Sequence, residues 1–323
     1  MSRYVVLGAG STGTATARLL ADEGESVRLI TRGGSGPVHP GIERVAADAT
    51  DPDRLTALVE GATALVNCAA PPYDRWTQEF PPLAASLLTA AGRTGAGYVM
   101  LGNVYAYGPA DGPVTESRPP APASVKGELR ASMWADALAA HRAGRVRATE
   151  VRAASYFGPG AQSLFLLMAG RQLAAGEPAA YYADLDAPHS WAAPVDVART
   201  LVAVARAGTG WGEVWHVPSF ATLSARELAA RLAAAAGAPA PRLTATSDRE
   251  LAELALEAPV LGEVAEMRYL THRPFVLDST RTERAFGVRA TPAAEVVAAV
   301  AAELTARLAA DLTADLTTGS PRT

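Results

Sequence analysis

"VVLGAGSTGTATARLL", residues 5–20, sets three glycines, Gly8, Gly10 and Gly13, between an apolar run and a helical pattern. Gly8 permits a tight turn, and Gly10 lets the backbone approach a pyrophosphate. Gly13 lets the next helix pack close to the strand, and that helix, opening at Ser11 and Thr12, points its N-terminus at the phosphates. The spacing alone is weak; the strand–loop–helix context is what such a motif requires, and it is present. The plainer reading is a tight turn without a ligand.

Working outward, short β-branched runs alternate with longer helical patterns, the signature of a parallel sheet built from βαβ units. Residues 3–8, 26–31, 43–48, 64–69, 97–102 and 148–154 read as strands. Residues 12–24, 80–95 and 126–144 read as helices, with Leu83, Leu87 and Leu88 giving the second an apolar face. Past Tyr156 the alternation loosens. A helix is expected within 189–208, a strand at 212–218, and a helix at 224–237 whose Ser224 and Glu227 form a capping box. Asp48 reads either as an adenine contact or as the N-cap of the following helix.

The chain has 323 residues, 49% hydrophobic and 19% charged, with a net charge of -4, so it can bury a large core and carries no basic footprint for nucleic acid. No apolar run is long enough for a membrane span. One cysteine, Cys68, excludes an internal disulfide framework and reads as a small buried residue. The N-terminus enters a strand with no charged leader, so a cytoplasmic protein is expected. The five histidines show no metal-ligand spacing, and no metal is expected.

The end of the second strand selects the cofactor. An acidic residue there would hold the ribose 2′-hydroxyl of NAD; here stand Thr31 and then Arg32, and a guanidinium pairs with a 2′-phosphate. NADP(H) is therefore expected over NAD(H), with Asp48 and Ala49 near the adenine. Ala69 and Ala70 are small residues where the nicotinamide ribose would lie, and Pro71 and Tyr73 follow toward the substrate.

With "GAGSTG" (8–13), "ADAT" (47–50), "NCAAPP" (67–72), "VYAYGPADGPVTESRPPAP" (104–122), "RAASYFGPG" (152–160), "APVDVAR" (193–199) and "RPFVLDSTRTERAFG" (273–287), the chain resembles the extended short-chain dehydrogenase/reductase superfamily, specifically the NAD-dependent epimerase/dehydratase family. The resemblance implies an α/β fold: a Rossmann doubly wound parallel sheet with a smaller C-terminal α/β substrate domain and a cleft between them. Residues 1–160, completed by about 189–217, would form the nucleotide domain. Residues 161–188 and 218–308 would form the substrate domain, and 309–323 a flexible tail. Helices 80–95 and 126–144 are those through which relatives often dimerise, which leaves a homodimer open.

The family carries a catalytic Ser or Thr before the "xxVYG" element and a Tyr-x-x-x-Lys pair on the next helix. Here the serine position reads Asn103. Lys126, the sole lysine of the chain, is preceded four residues earlier by Pro122; in the other register Ser124 and Glu128 take the two positions. Neither register restores the pair. One reading keeps hydride transfer with a different proton relay: Asn103 donates to a carbonyl oxygen, Tyr105 or Tyr107 supplies the proton, and Lys126 holds the ribose. Tyr105 and Tyr107 share a face only if strand conformation persists.

A second reading is a reductase for a carbonyl or imine carbon of a small molecule in specialised metabolism, served mainly by orientation in an apolar pocket. Tyr156, beside the cofactor, and Phe157, Tyr181, Tyr182, Trp191 and Trp215 are its candidate lining, with His189 and Arg273 as further substrate contacts. The alternatives are an epimerase or dehydratase of the nucleotide-sugar type and a non-catalytic NADP(H)-binding sensor or scaffold.

Overall fold

In the computed structural model, which describes residues 2–318, the apolar run before Gly8 is strand β1 (Arg3–Leu7), covered on both faces. Tyr4 and Val6 enter one hydrophobic core, and Val5 and Leu7 enter another. A strand buried on both sides reads as a continuous apolar run rather than an alternation, as this one does. Strands β2 (Ser26–Thr31), β3 (Ile42–Ala46), β4 (Ala64–Asn67), β5 (Gly97–Asn103) and β6 (Ala148–Ala153) follow. After them come β7 (Ser155–Tyr156), β8 (Ala179–Tyr181), β9 (His189–Ala192), β10 (Val214–His216), β11 (Ala221–Leu223) and β12 (Leu243–Ala245).

Seven strands form a wholly parallel sheet in the order β3-β2-β1-β4-β5-β6-β10. This is the doubly wound Rossmann order, in which the sequence of strands reverses between β1 and β4. Ligands of such sheets bind in the crevice beyond the carboxyl ends at that reversal. Gly8 and Asn67 stand at those ends.

The helices are α1 (Ser11–Asp22), α2 (Pro52–Val59), α3 (Trp76–Thr94), α4 (Val125–Arg142), α5 (Arg171–Ala175), α6 (Pro194–Arg206), α7 (Ala225–Ala235), α8 (Asp248–Glu257), α9 (Arg268–Thr271), α10 (Thr280–Phe286) and α11 (Ala293–Thr318). Leu20 of α1 and Val197 and Leu201 of α6 cover one face of the sheet. Leu55 of α2, Phe80 and Leu87 of α3, and Met133 and Trp134 of α4 cover the other. A third core joins Phe157, Phe165, Trp191, Leu228 and Val300. No helix among the described residues is long and apolar enough to cross a membrane.

Several boundaries differ from those expected. Helix α3 begins at Trp76, ahead of Pro81 and Pro82, because Trp76 is buried and packs edge-on against Phe80 at 5.0 Å. The cap of α2 is Asp51, whose carboxylate accepts from Asp53 and Arg54, and not Asp48. The capping box at Ser224 and Glu227 forms as expected. The tail expected from residue 309 is helical as far as Thr318; residues 319–323 lie outside the described residues.

Candidate active site

The glycine loop has two packed positions and one open one. A Cβ on Gly13 would lie 2.0 Å from the carbonyl oxygen of Gly8, and one on Gly8, at φ +93°, would lie 2.8 Å from the backbone of Ala69. A Cβ on Gly10 would meet nothing within 4 Å. Gly10 also caps α1 without any side-chain hydrogen bond, so the first-turn N–H groups, including those of Ser11 and Thr12, have no side-chain cap. Open space at the middle glycine, against an uncapped helix N-terminus, fits a diphosphate.

The two kinds of glycine separate experimentally. Gly13→Ala forces backbone apart and is expected to cost about 1–3 kcal/mol and to abolish nucleotide binding. Gly10→Ala is expected to keep the wild-type melting temperature yet lose most nucleotide affinity. Thermal melts and a nucleotide titration of both variants check this; undiminished binding by Gly10→Ala would remove the phosphate assignment.

At the adenine end, Arg32 is exposed just beyond β2. Asp48 is exposed too, and its Oδ1 accepts from the Thr50 amide and hydroxyl at 2.9 and 2.8 Å. Those bonds, with a smaller contribution from the charge of Arg32, hold its carboxyl below the usual range. Ala49 is buried, Ala69 donates to Asn67 Oδ1, and Ala70 is exposed. The Tyr156 hydroxyl interacts with Thr12 at the start of α1.

Past β5 the chain does not stay extended. Asn103 Oδ1 accepts the Tyr105 amide at 3.1 Å, and residues 105–107 form one tight 3-10 turn. The two tyrosines therefore diverge. Tyr105 approaches the Tyr73 hydroxyl at 3.3 Å. Tyr107 is fully buried on the other side, its hydroxyl donating to His216 Nε2 at 2.6 Å, while His216 Nδ1 donates to the Asp278 carbonyl. Tyr107 is thereby removed from the candidate proton donors. Tyr105 stays, with burial pushing its phenol up and the charges of Lys126 and Arg130 acting against that.

Lys126 lies in the first turn of α4, two residues after the Ser124 cap. Its side chain is only 5% exposed, and its ammonium sits 4.6 Å from the centre of the Tyr73 ring. It donates to Glu266 at 2.7 Å and to Glu263, both from the 3-10 segment Pro259–Met267. Gly127 lets this turn close on its neighbours: a Cβ there would lie 2.8 Å from the Tyr105 carbonyl oxygen. One turn on, Arg130 is buried, donates to the Leu101 carbonyl, and lies over the Phe80 ring. Its Nε has no partner among the described residues. Tyr73, Trp76, Lys126, Glu263 and Glu266 line a cavity of about 250 Å³.

Two basic residues on α4 keep the spacing of the pair sought in the sequence. Lys126 and Arg130 stand four apart on α4, the spacing of Tyr-x-x-x-Lys, with Lys126 in the position expected of the proton-transfer group. Lys126, expected to hold the ribose, instead donates to Glu263 and Glu266. The registers on Pro122 and Ser124 fail because the helix starts only at Val125. Arg130, Glu263 and Glu266 were missed. Two bases at i, i+4 behind a serine cap were the available signal for Arg130; nothing in the pattern marks the two glutamates.

The aromatic lining is also corrected. Phe157, Tyr181, Tyr182, Trp191 and Trp215 are all buried, and Trp191 Nε1 donates to the Leu223 carbonyl, so these rings fill cores. His189 is buried beside Trp191 with Nε2 unpartnered among the described residues; burial lowers its pKa to about 4, so it is neutral at pH 7. Arg273 is exposed. Pro71 is half-buried and accepts Trp76 Nε1 at its carbonyl. Cys68, expected to be buried, is half-buried, and desolvation pushes its thiol up to about 12, away from the thiolate.

The profile of the NAD dependent epimerase/dehydratase family matches residues 4–217. No curated protein matches the chain. Among solved structures, the dTDP-glucose 4,6-dehydratase DesIV of Streptomyces venezuelae, with NAD bound, is 25% identical at a TM-score of 0.74, covering 92% of this chain and 95% of that one. The UDP-glucose 4-epimerase of Thermotoga maritima, with UDP-glucose, is 17% identical at 0.78, covering 95% and 99%. WbmH of Bordetella bronchiseptica, with NAD+, is 22% identical at 0.73, covering 94% and 97%.

Proposed function

The chain belongs to the NAD dependent epimerase/dehydratase family, a family of nicotinamide-dependent enzymes, and on that premise we propose that it transfers hydride at a carbinol or carbonyl carbon of a nucleotide-linked sugar, with Lys126 as the proton-transfer group. Of the readings open from the sequence, the epimerase or dehydratase of the nucleotide-sugar type fits the family and its solved relatives better than a reductase of small carbonyl or imine compounds. The observation that carries the assignment is the spacing of Lys126 and Arg130 on α4, with Tyr105 against the same turn.

The bound dinucleotide supplies and receives the hydride. Gly8, Gly10 and Gly13 with the N-terminus of α1 would hold its diphosphate, and the buried Arg130 guanidinium would supply positive charge toward the nicotinamide. Asn103 and the Lys126 ammonium donate hydrogen bonds to the substrate oxygen. When a ketone is reduced, Lys126 gives that oxygen a proton; when an alcohol is oxidised, its neutral amine takes one. The ammonium dominates at neutral pH, which favours the reduction half of the cycle, while the oxidation with which an epimerase or dehydratase begins gains toward alkaline pH. Assaying a panel of UDP- and dTDP-linked sugars by nicotinamide absorbance and product analysis tests the reading. Turnover of free small ketones or imines with none of any nucleotide sugar would overturn it.

Within this reading the cofactor is NADP(H). Arg32 offers a guanidinium where a ribose 2′-phosphate would sit, and its exposure leaves it free to turn from Asp48 toward an anion. Wild type is expected to bind NADPH about tenfold tighter than NADH, and Arg32→Ala to erase the difference, since a charge-assisted hydrogen bond contributes about 1.5–3 kcal/mol. Titrations with both nucleotides check this; equal affinities in wild type would return the chain to NAD(H).

A further inference from the structure

Lys126 is the only lysine in the chain, and what holds it comes from far along the sequence. The segment Pro259–Met267 lies over the start of α4, and Tyr269 of α9 ties its end down by donating to the Tyr105 carbonyl at 3.2 Å. From this segment Glu263 and Glu266 both accept from Lys126 Nζ, and Glu266 also reaches the Lys126 amide. We infer that Glu263 and Glu266 are positioning residues that clamp Lys126 as an ammonium at the mouth of the site. This rests on the assignment of Lys126 to proton transfer.

Each element packed against the ammonium contributes a known group. The turn at 73–75 presents the Tyr73 ring and, on the cavity wall, Asp74. The 105–107 turn presents Tyr105. Helix α4 itself places Arg130 one turn on, directed at Trp76 and Phe80. Two carboxylates thus touch one ammonium. Burial alone would push Lys126 down, but the hydrogen bonds and charges of Glu263 and Glu266 outweigh it and hold Lys126 above the ordinary lysine value. The glutamate side chains are 39% and 25% exposed, so they remain hydrated while the lysine does not.

Because no other lysine exists, the clamp can be read without a substrate. Full-length protein treated with trinitrobenzenesulfonate across pH, with Lys126 followed by peptide mass spectrometry, reports the fraction of neutral, reachable amine. Wild type is expected to react slowly and only at strongly alkaline pH. In Glu263→Gln/Glu266→Gln the midpoint is expected to fall by about one to two units, and the rate at pH 8 to rise on the order of tenfold. Glu263→Asp/Glu266→Asp should restore part of the shift, and unchanged nucleotide affinity in both variants certifies the fold. The Lys126 limb of kcat/KM, which reports the free enzyme, should move with the labelling midpoint. An unchanged midpoint in the double Gln variant overturns the clamp. A shifted midpoint in an enzyme whose Lys126→Met variant still turns over keeps the clamp and removes the proton-transfer assignment.

Discussion

Lys126→Met is expected to lower turnover by about 10²–10⁴-fold, the usual contribution of a positioned general acid or base. Nucleotide affinity should stay near wild type, because the glycine loop proposed to hold the diphosphate is untouched and Arg130 remains. The fold should tolerate the change: the methionine keeps most of the lysine stem, and the glutamates left behind reach water. Single-turnover hydride transfer is the cleanest measurement, since it separates chemistry from product release. Lys126→Tyr puts the family's phenol at the same point of α4 and should retain more activity than methionine. It should fall short of wild type, since Glu263 and Glu266 were built to hold a cation. A Lys126→Met enzyme within about threefold of wild type would pass the proton to the hydrogen-bonded phenols of Tyr73, on the cavity wall, and Tyr105.

The nucleotide half of the molecule was readable because its signals are local. Strands β1, β2 and β5 begin at the residues expected, since an apolar run flanked by glycine or a turn admits few alternatives. The three glycines sit where their spacing put them, and the structure adds which two are packed and which is open. The reaction centre was half readable. Asn103 bonds the Tyr105 amide and Tyr105 lies against the turn of α4 that carries Lys126, but the turn at 105–107 sends Tyr107 to His216, and strand periodicity cannot anticipate that. Glu263 and Glu266 were invisible because their partner lies about 140 residues away and their own surroundings read as an irregular acidic stretch. The aromatic residues misled for a related reason. A ring that fills a core and a ring that lines a pocket have the same sequence signature, and only packing tells them apart.

The second large effect lies beneath the site, at a pair the strand pattern disguised. In "ATEVRA" (148–153) Glu150 and Arg152 alternate with apolar residues, as on a strand with one wet face, yet β6 is buried on both faces and each charge is 1% exposed. Arg152 binds Glu150 at 2.6 Å and lies 4.5 Å from the centre of the Tyr107 ring. Glu150 also counters buried Arg130, whose guanidinium burial would otherwise depress further. Gly102 makes the space: a Cβ there would sit 2.2 Å from Glu150 Oε1. Glu150→Ala therefore strands two guanidiniums without an anion and is expected to cost about 3–5 kcal/mol, a drop in melting temperature on the order of 10 °C. Replacing both partners, Glu150→Leu with Arg152→Met, should recover most of that loss, because an apolar pair of similar volume often matches a buried ion pair. Activity should not recover with it, since Arg130 would still lack its counter-charge beside the reaction centre. Calorimetric melts of the single and double variants, with hydride transfer measured well below each midpoint, separate the two effects. A double variant as active as wild type would show that Arg130 needs no anion beneath it and that the pair serves stability alone.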